Sequence, residues 1–275
     1  MRRACGALVT WRSRSFVRSF AWRRTISMLG NDVVDLRDAD TRPESFRPRF
    51  DERVFAPVER RAIERDARSP GGSHARRWAH WAAKEAAYKL AKQIDSDFVF
   101  SPSKLVAHFD SAIEASGGGV ERRGTLRLPC AVAQGIQELE LRSRETGDRV
   151  HVLALPVGVD WQGVVSAVEP IVEAVDPSAA VRRLAIDRIA QGFGIAAERI
   201  TIGRRDRVPT LSIDGSPRPM AISLSHHGGW VACAMRLRCD GAQSVGPAPV
   251  DGDWKTIVRR AMLDRGDPML SGVVR

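Results

Sequence analysis

The pattern of apolar positions predicts short strands and amphipathic helices in mixed order. Residues 29–36 form an apolar run that is typical of a buried strand, and residues 76–90 favour a helix because they are rich in Ala, Lys and Glu and contain neither Gly nor Pro. A second long helix is predicted to start at Asp176, with Pro177 at its first position, and to end near Gly194. Further strands are predicted at 125–128, 137–142, 150–155, 200–202, 210–213, 221–224 and 231–235.

Two weaker predictions complete the pattern between the first strand and the central region. A helical stretch runs from about residue 50 to 67, and a strand pair lies within residues 97–108 around a Ser-Pro-Ser turn. Helices and strands do not alternate regularly, so the sequence predicts a fold of the α+β class.

Composition is that of an ordinary globular protein. Apolar residues make up 43% of the 275 positions and charged residues 28%, and the chain is long enough for one large domain or two small ones. No apolar run approaches the roughly 20 residues that a membrane-spanning helix needs. Four cysteines lie far apart without metal-ligand spacing, which favours a reducing cytoplasm over a disulfide framework.

Two acidic residues call for a chemical explanation. Asp32 interrupts an apolar strand, and a carboxylate there costs several kcal/mol unless it is paired or binds a cation; the alternative is an edge strand whose acids face water. On the helix at 76–90, Trp81, Glu85 and Lys89 share one side at about 100° per residue. An exposed Glu–Lys pair one turn apart would also explain that spacing.

Three stretches carry a family resemblance through their order along the chain. Gly-x-Asp with a following acid occurs at residues 30–35, and an aromatic residue, then Lys-Glu-Ala and a further Lys, occurs at 81–89. Ser-x-Ser-His ends a strand at 223–226. Together these motifs resemble the 4'-phosphopantetheinyl transferase superfamily, in particular its holo-acyl-carrier-protein synthase branch.

The resemblance implies both a fold and a reaction. The implied fold has two similar α+β lobes that form a pseudo-dimer within one chain. The implied reaction is Mg²⁺-dependent transfer of 4'-phosphopantetheine from coenzyme A to a serine of an apo acyl or peptidyl carrier protein, as in fatty-acid or polyketide synthesis, with release of adenosine 3',5'-bisphosphate. An alternative is a non-catalytic homologue that binds coenzyme A or a carrier protein as a scaffold or regulator.

The resemblance also implies a set of site residues. Asp32, Glu85 and Lys89 are the implied catalytic residues, and Glu85 or a metal-held water would take the serine proton. Mg²⁺ would be bound by Asp32 and Glu85, with Asp35 acting through water or by orienting Asp32. The implied coenzyme A contacts are Lys84, Lys89, Ser225, His226 and Arg207, and the implied carrier-protein contacts are Arg49 and Arg53.

One departure from the family pattern concerns the hairpin before the Ser-x-Ser-His motif. The family often has Gly-Lys-Pro there, whereas this chain has Arg207-Val208-Pro209. Without the lysine, Arg207 or Arg205 is expected to supply the positive charge toward the adenosine phosphate.

The division expected from these motifs has five parts. A basic leader spans 1–27, a lobe with the metal-binding motifs 28–110, an extra β-rich connection 111–175, a second lobe 176–239, and a linker with an amphipathic C-terminal helix 240–275.

The leader holds most of the excess positive charge. Seven arginines and no acid account for seven of the ten net charges, which leaves +3 for the rest and argues against nucleic acid as a partner of the folded part. The leader fits an upstream-extended start, a transit peptide or a disordered basic arm. We favour the first, because members of the resembled family tend to begin like Met28-Leu29-Gly30.

Overall fold

The structure, a computed structural model, describes residues 28–65, 72–115, 118–132, 135–172, 175–218 and 220–236. The basic leader and the predicted C-terminal helix lie outside the described residues. Helices and antiparallel sheets occupy separate segments of the described chain, which confirms the predicted α+β class.

The first half of the fold is an antiparallel sheet with helices on one face. In the sheet the order is β1-β6-β5-β4-β2, and β3 pairs with β4. Its strands are β1 (Gly30–Asp35), β2 (Val106–Phe109), β3 (Ile113–Glu114), β4 (Val120–Val132), β5 (Ile136–Glu145) and β6 (Arg149–Pro156). Its helices are α1 (Phe50–Val54), α2 (Pro57–Arg65) and α3 (Gly72–Ile94).

Helix α3 packs across this sheet through a row of small residues. Ala79, Ala82, Ala83, Ala86 and Ala87 have no exposed surface. Alanine favours the helix and also lets the helix axis approach the strands closely. Leucine and valine side chains of β4, β5 and β6 fill the remaining space of this core.

A glycine is required at position 30 because α3 approaches β1 closely there. A Cβ at this position would lie 1.9 Å from the backbone carbonyl oxygen of Ala86. We therefore expect Gly30→Ala to lower the free energy of unfolding by about 2–3 kcal/mol, the cost of overpacking a rigid core. Urea denaturation measures the effect, with Gly147→Ala as the control because no atom lies within 4 Å of its Cβ position. Equal midpoints for the two variants would contradict the packing argument.

The second half combines one helix with two small sheets. The sheets have the orders β11-β12-β7 and β10-β9-β8. Their strands are β7 (Val164–Pro170), β8 (Ile200–Arg205), β9 (Val208–Ile213), β10 (Ser216–Arg218), β11 (Ala221–His227) and β12 (Trp230–Arg236). Helix α4 (Pro177–Phe193) covers them, and its apolar side chains form a core with β8, β11 and β12.

The predicted ends of α4 are confirmed. The Asp176 carboxylate accepts a hydrogen bond from the backbone N–H of Ala179 at 2.8 Å, as an N-cap residue does. Gly194 ends the helix in the left-handed region at a φ of 63°.

The two halves meet where the edge of β1 lies beside β11. Side chains of β11 accept backbone N–H groups of β1: Asn31 N–H donates to Ser223 Oγ at 3.0 Å, Val33 N–H to Ser225 Oγ at 3.3 Å, and Asp35 N–H to His227 Nδ1 at 3.3 Å. The contacts advance together along both strands, so the strands run in the same direction. Serine and histidine side chains thus satisfy the edge of β1 that faces away from β6.

The structure divides the chain differently from the predicted domains. Residues 111–175 are expected to be an extra connection, but β4, β5 and β6 of this segment pair with β2 and β1 and form the centre of the first sheet. The physical reason is that α3 needs a broad apolar surface to cover, and two short strands could not supply it. The last strand of the segment, β7, instead joins the second half through β12.

Two local predictions also need correction. The helical stretch from 50 to about 67 is broken into α1 and α2, with Pro57 starting the second helix. Residues 97–108 contain only the beginning of β2, and the residues before it form a loop and a short 3₁₀ turn.

Candidate active site

Asp32 lies at the junction of three elements. Its side chain is buried on β1, and Oδ1 accepts hydrogen bonds from Lys89 Nζ on α3 and from Ser225 Oγ on β11, both at 2.7 Å. Lys89 Nζ also donates to the backbone carbonyl of Asn31 at 3.2 Å. The cation of Lys89 therefore partners Asp32 across the helix–strand contact.

Glu85 lies one helical turn before Lys89, and its protonation is set by burial. Desolvation and the negative charge of Asp32 raise the pKa of Glu85 to about 7, while the charge of Lys89 acts in the opposite direction. A partly buried carboxylate whose ionisation is disfavoured by a neighbouring carboxylate indicates a place where a cation would be stabilised.

Asp35 makes a different set of contacts. One carboxylate oxygen accepts the backbone N–H of Arg37 and the other accepts that of Gly229, both at 2.8 Å. Gly228 has a φ of 52°, and a Cβ there would lie 2.6 Å from Asp35 Oδ2. Asp35 therefore holds the β11–β12 turn against the end of β1.

A cavity of about 300 Å³ opens beside this junction, between α3, the first turns of α4, the β8–β9 hairpin and β11. Its apolar lining includes Tyr88, Val181, Pro209 and Leu224. No carboxylate lines it among the described residues. Its cationic lining consists of Lys89, Lys92, Arg182, Arg204 and Arg207.

The β8–β9 hairpin places arginines at the mouth of this cavity. Asp206 and Arg207 form a two-residue turn with φ values of 47° and 72°, which match a type I′ turn. Arg204 and Arg207 line the cavity, as does Val208, which stands where the family often has lysine. Arg205 is exposed and is not part of the lining.

His226 is the predicted histidine at the end of β11. Its side chain is exposed at the same cavity, next to Leu224 and on the side of Lys89. Partial burial and the nearby charge of Lys89 lower the pKa of His226 below its ordinary value. The ring is therefore mainly neutral at pH 7, and one of its nitrogens can donate a hydrogen bond.

Lys84 does not reach this junction. Its ammonium has no exposed surface and donates to both carboxylate oxygens of Glu59, at 2.8 and 2.7 Å, and to the backbone carbonyls of Pro102 and Leu105. The structure thus places Lys84 on the side of α3 that faces α2 and β2. We correct the expected coenzyme A contact for this residue and assign Lys84 to the packing of α3.

Arg49, which directly precedes α1, and Arg53 on α1 are both exposed, and neither lines the 300 Å³ cavity. Arg49 Nε forms an ion pair with Glu52 at 2.5 Å, and Arg53 is exposed. Phe46, Phe50, Arg60 and Ile63 line a neighbouring surface cavity of about 360 Å³. Asp51, Glu52 and Glu64 line the same cavity, so this surface combines charges of both signs with apolar area.

Sequence reasoning missed two features of the site. Ser225 bonds to Asp32 itself, although it was expected to contact coenzyme A, and Arg182 on α4 faces the cavity from the opposite side to Lys89. Arg182 lies one turn after Ser178, so the predicted helix places both residues on one face. The sequence does not indicate which strand lies opposite that face.

Among the described residues, no group of three or more His, Cys, Asp or Glu side chains is arranged to bind a metal ion. The negative charge of Asp32 acts on Glu85, so these two carboxylates interact at the junction. In the same part of the chain, no helix combines the length and apolarity needed to cross a membrane.

Comparisons with known proteins agree with the motifs. Residues 28–110 match the family model of the 4'-phosphopantetheinyl transferase superfamily. The matched residues include Asp32, Glu85 and Lys89. The family resemblance expected from the sequence is thereby confirmed.

Two relatives with similar sequences give the same result. The holo-acyl-carrier-protein synthase of Azorhizobium caulinodans is 37% identical over 97 residues, which cover 34% of this chain and 68% of the relative. That of a Methylobacterium species is 37% identical over 105 residues, 37% of this chain and 74% of the relative. Among solved structures, Thermotoga maritima holo-acyl-carrier-protein synthase is similar with a TM-score of 0.30 and 15% identity, covering 70% of this chain and 86% of that chain.

Proposed function

Because this chain belongs to the 4'-phosphopantetheinyl transferase superfamily, we propose that it transfers 4'-phosphopantetheine from coenzyme A to a serine of an apo acyl or peptidyl carrier protein and releases adenosine 3',5'-bisphosphate. The observation that carries the proposal is the junction of Asp32, Lys89 and Ser225 beside an acid-free, cation-lined cavity. Such a cavity suits a ligand with several phosphate groups.

Asp32 and Glu85 fit a magnesium ion. Mg²⁺ takes one or two carboxylates and completes its shell with substrate phosphate and water. The raised pKa of Glu85 supports this assignment, because a cation shared by both carboxylates would remove their mutual repulsion. When bound, Mg²⁺ supplies positive charge to the pyrophosphate oxygens.

Side chains of the chain itself supply positioning and proton transfer. Lys89 is held at the junction by Asp32 and by the carbonyl of Asn31, and its ammonium contacts an oxygen of the β-phosphate. Glu85, or a water held on the metal, accepts the proton of the carrier serine as that serine attacks the β-phosphorus. Phosphoryl transfer needs mainly such positioning and charge neutralisation.

Coenzyme A binds in the 300 Å³ cavity with its phosphates toward the cations. Tyr88, Val181 and Leu224 offer apolar surface to the adenine, and His226 donates a hydrogen bond to a phosphate. The carrier protein approaches over α1, where Arg49 and Arg53 attract its acidic surface. Both fatty-acid and polyketide carriers of the cytoplasm are compatible with this chemistry.

Mass spectrometry of the carrier protein tests the proposal. The chain is incubated with coenzyme A, Mg²⁺ and an apo acyl carrier protein, and the carrier is expected to gain one phosphopantetheinyl group. Chelation of divalent cations with EDTA is expected to stop the reaction, and excess Mg²⁺ to restore it. The control is a carrier whose acceptor serine is replaced by alanine.

A different outcome would favour the alternative function. Binding of coenzyme A without any mass gain on fatty-acid, polyketide or peptidyl carriers would identify a non-catalytic homologue that acts as a scaffold or regulator. The substitution of Val208 for the lysine that the family often has is the observation that keeps this alternative open.

A further inference from the structure

A smaller cavity, of about 80 Å³, lies on the face of the first sheet that is turned away from α3. Val150 and Val152 on β6 pack in the core under α3, so His151 between them points to the opposite face and lines this cavity. Residues 166–168 of β7 form the facing wall. The cavity therefore lies between the two halves of the fold, and it shares no lining residue with the 300 Å³ cavity.

Two arginines bring positive charge to this cavity beside the histidine. Arg144 on β5 lies opposite His151 in the register of β5 and β6, and Arg149 lies two positions before His151, so all three share one face of the sheet. Arg149 donates from Nη1 to Asp148 at 3.0 Å, and its guanidinium lies 4.2 Å from the centre of the Trp230 ring. These contacts fix Arg149, and the bond to Asp148 uses one of the five N–H donors of the guanidinium.

The hydrogen bonding of His151 is incomplete. This residue is only 5% exposed, and its Nε2 atom has no hydrogen-bond partner among the described residues. A buried polar nitrogen without a partner is unfavourable and calls for an explanation. Burial and the positive charges of Arg149, Lys89 and Arg144 lower the pKa of His151 to about 3, so the ring is neutral at pH 7 and can donate one hydrogen bond. The charged groups that shift this pKa are all cations, which indicates a positive potential at the ring.

Three carboxylates are neighbours of these arginines in the sheet. Asp148 forms the ion pair with Arg149, and Glu121 lies opposite Arg144 in the register of β4 and β5. Asp35 lies opposite Arg149 in the register of β1 and β6, and its carboxylate accepts two backbone N–H groups. None of the three lines the cavity, so the lining itself has a net positive charge.

We propose that this cavity is a binding site for a tetrahedral oxyanion, with inorganic phosphate as the ligand. The volume is more than twice the roughly 30 Å³ that a water molecule occupies in the liquid, which leaves room for one such anion and not for a nucleotide. Arg144 and Arg149 neutralise its charge, and His151 and Ser166 donate hydrogen bonds to its oxygens. Because Ser166 lies on β7, the anion joins the two halves of the fold at a second place besides the contact of β1 with β11. The inference does not depend on the proposed reaction.

Nuclear magnetic resonance of the chain with isotope-labelled histidine tests the site. Inorganic phosphate is titrated into the protein, and sodium chloride of equal ionic strength is the control. We expect phosphate, and not chloride, to shift the imidazole resonances of His151 while the ring stays neutral. These resonances are assigned through the backbone, so the test requires no substitution of the buried histidine.

Arg149→Gln is the informative variant, because the Arg149 side chain is partly exposed and its replacement does not open the core. It should weaken the phosphate affinity measured at His151 by about tenfold or more. Arg127→Gln, an exposed change on β4 outside the cavity, and Arg204→Gln, in the 300 Å³ cavity, should each leave that affinity within about twofold. Thermal unfolding establishes that all variants are folded.

Two results would overturn the proposal. One is a phosphate response that leaves His151 unshifted, whether no histidine responds or only His226 in the 300 Å³ cavity does. The other is an equal phosphate affinity at His151 in Arg149→Gln and Arg127→Gln.

Discussion

Replacing Glu85 by glutamine is expected to lower the transfer rate at least about a thousandfold and, at pH 8, to raise the stability of the metal-free chain. The loss of rate follows because glutamine can neither accept the serine proton nor contribute a negative charge to the cation. The gain in stability follows because the ionised Glu85 is buried near Asp32.

The sign of the stability effect follows from the raised pKa. Glu85 favours its protonated form in the folded chain, so folding stability decreases as the pH rises from 4.5, the ordinary pKa, through about 7. At about 1.4 kcal/mol per pKa unit the full shift would correspond to about 3 kcal/mol. We expect about 2 kcal/mol, because the side chain keeps some contact with solvent.

Urea denaturation at pH 4 and pH 8 without divalent cations measures this effect. Glu85→Gln should match the unaltered chain at pH 4 and exceed it at pH 8. Addition of Mg²⁺ with coenzyme A at pH 8 should stabilise the unaltered chain more than Glu85→Gln. Identical stabilities of the two proteins at pH 8 would show that neither burial nor the charge of Asp32 disfavours the ionised form of Glu85.

Replacing Lys84 by methionine is expected to lower the free energy of unfolding by about 3–5 kcal/mol. The change leaves the buried Glu59 carboxylate without its cation and two backbone carbonyls without a donor. Burial alone raises the pKa of Glu59, and it is His80 and Lys84 that bring this pKa below its ordinary value. Without Lys84 the pKa of Glu59 is therefore expected to rise.

Partner replacement tests this interpretation. Glu59→Gln removes the charge and keeps an acceptor for one of the two N–H groups, those of Ala56 and Ala107, that bond to the two oxygens of Glu59. Because a lost hydrogen bond costs less than an unpaired buried charge, the double variant should be more stable than Lys84→Met alone. The exposed Lys104→Met serves as the control and should change stability by less than about 0.5 kcal/mol. A double variant as unstable as the sum of its single changes would rule out the coupling.

The sequence was informative where local chemistry determines structure. Asp176 and Pro177 predict the start of α4, and the motif residues Asp32 and Lys89, 57 positions apart, are in contact. The family motifs could be recognised because their order is preserved even though the lobes are long. Recognition of these motifs required only their order along the chain and not the positions of their side chains in the fold.

Tertiary pairing explains most of what could not be predicted. The helix period places Lys84 about 100° from Glu85 but does not indicate that Glu59, 25 residues earlier, lies on that side. The pairing of β1 with β6 joins residues more than a hundred positions apart, so residues 111–175 could not be recognised as the centre of a sheet. The alternation of side chains along a strand shows which residues share a face. It does not show which other strand pairs with that strand.

Binding of Mn²⁺ in the presence of coenzyme A, followed by electron paramagnetic resonance, tests the central claim most directly. Mn²⁺ takes oxygen ligands as Mg²⁺ does and reports its own binding. The unaltered chain should bind one ion at the junction of β1 and α3, and Asp32→Asn and Glu85→Gln should each lose it while remaining folded. Binding of unchanged strength in either variant would contradict a cation shared by these two carboxylates.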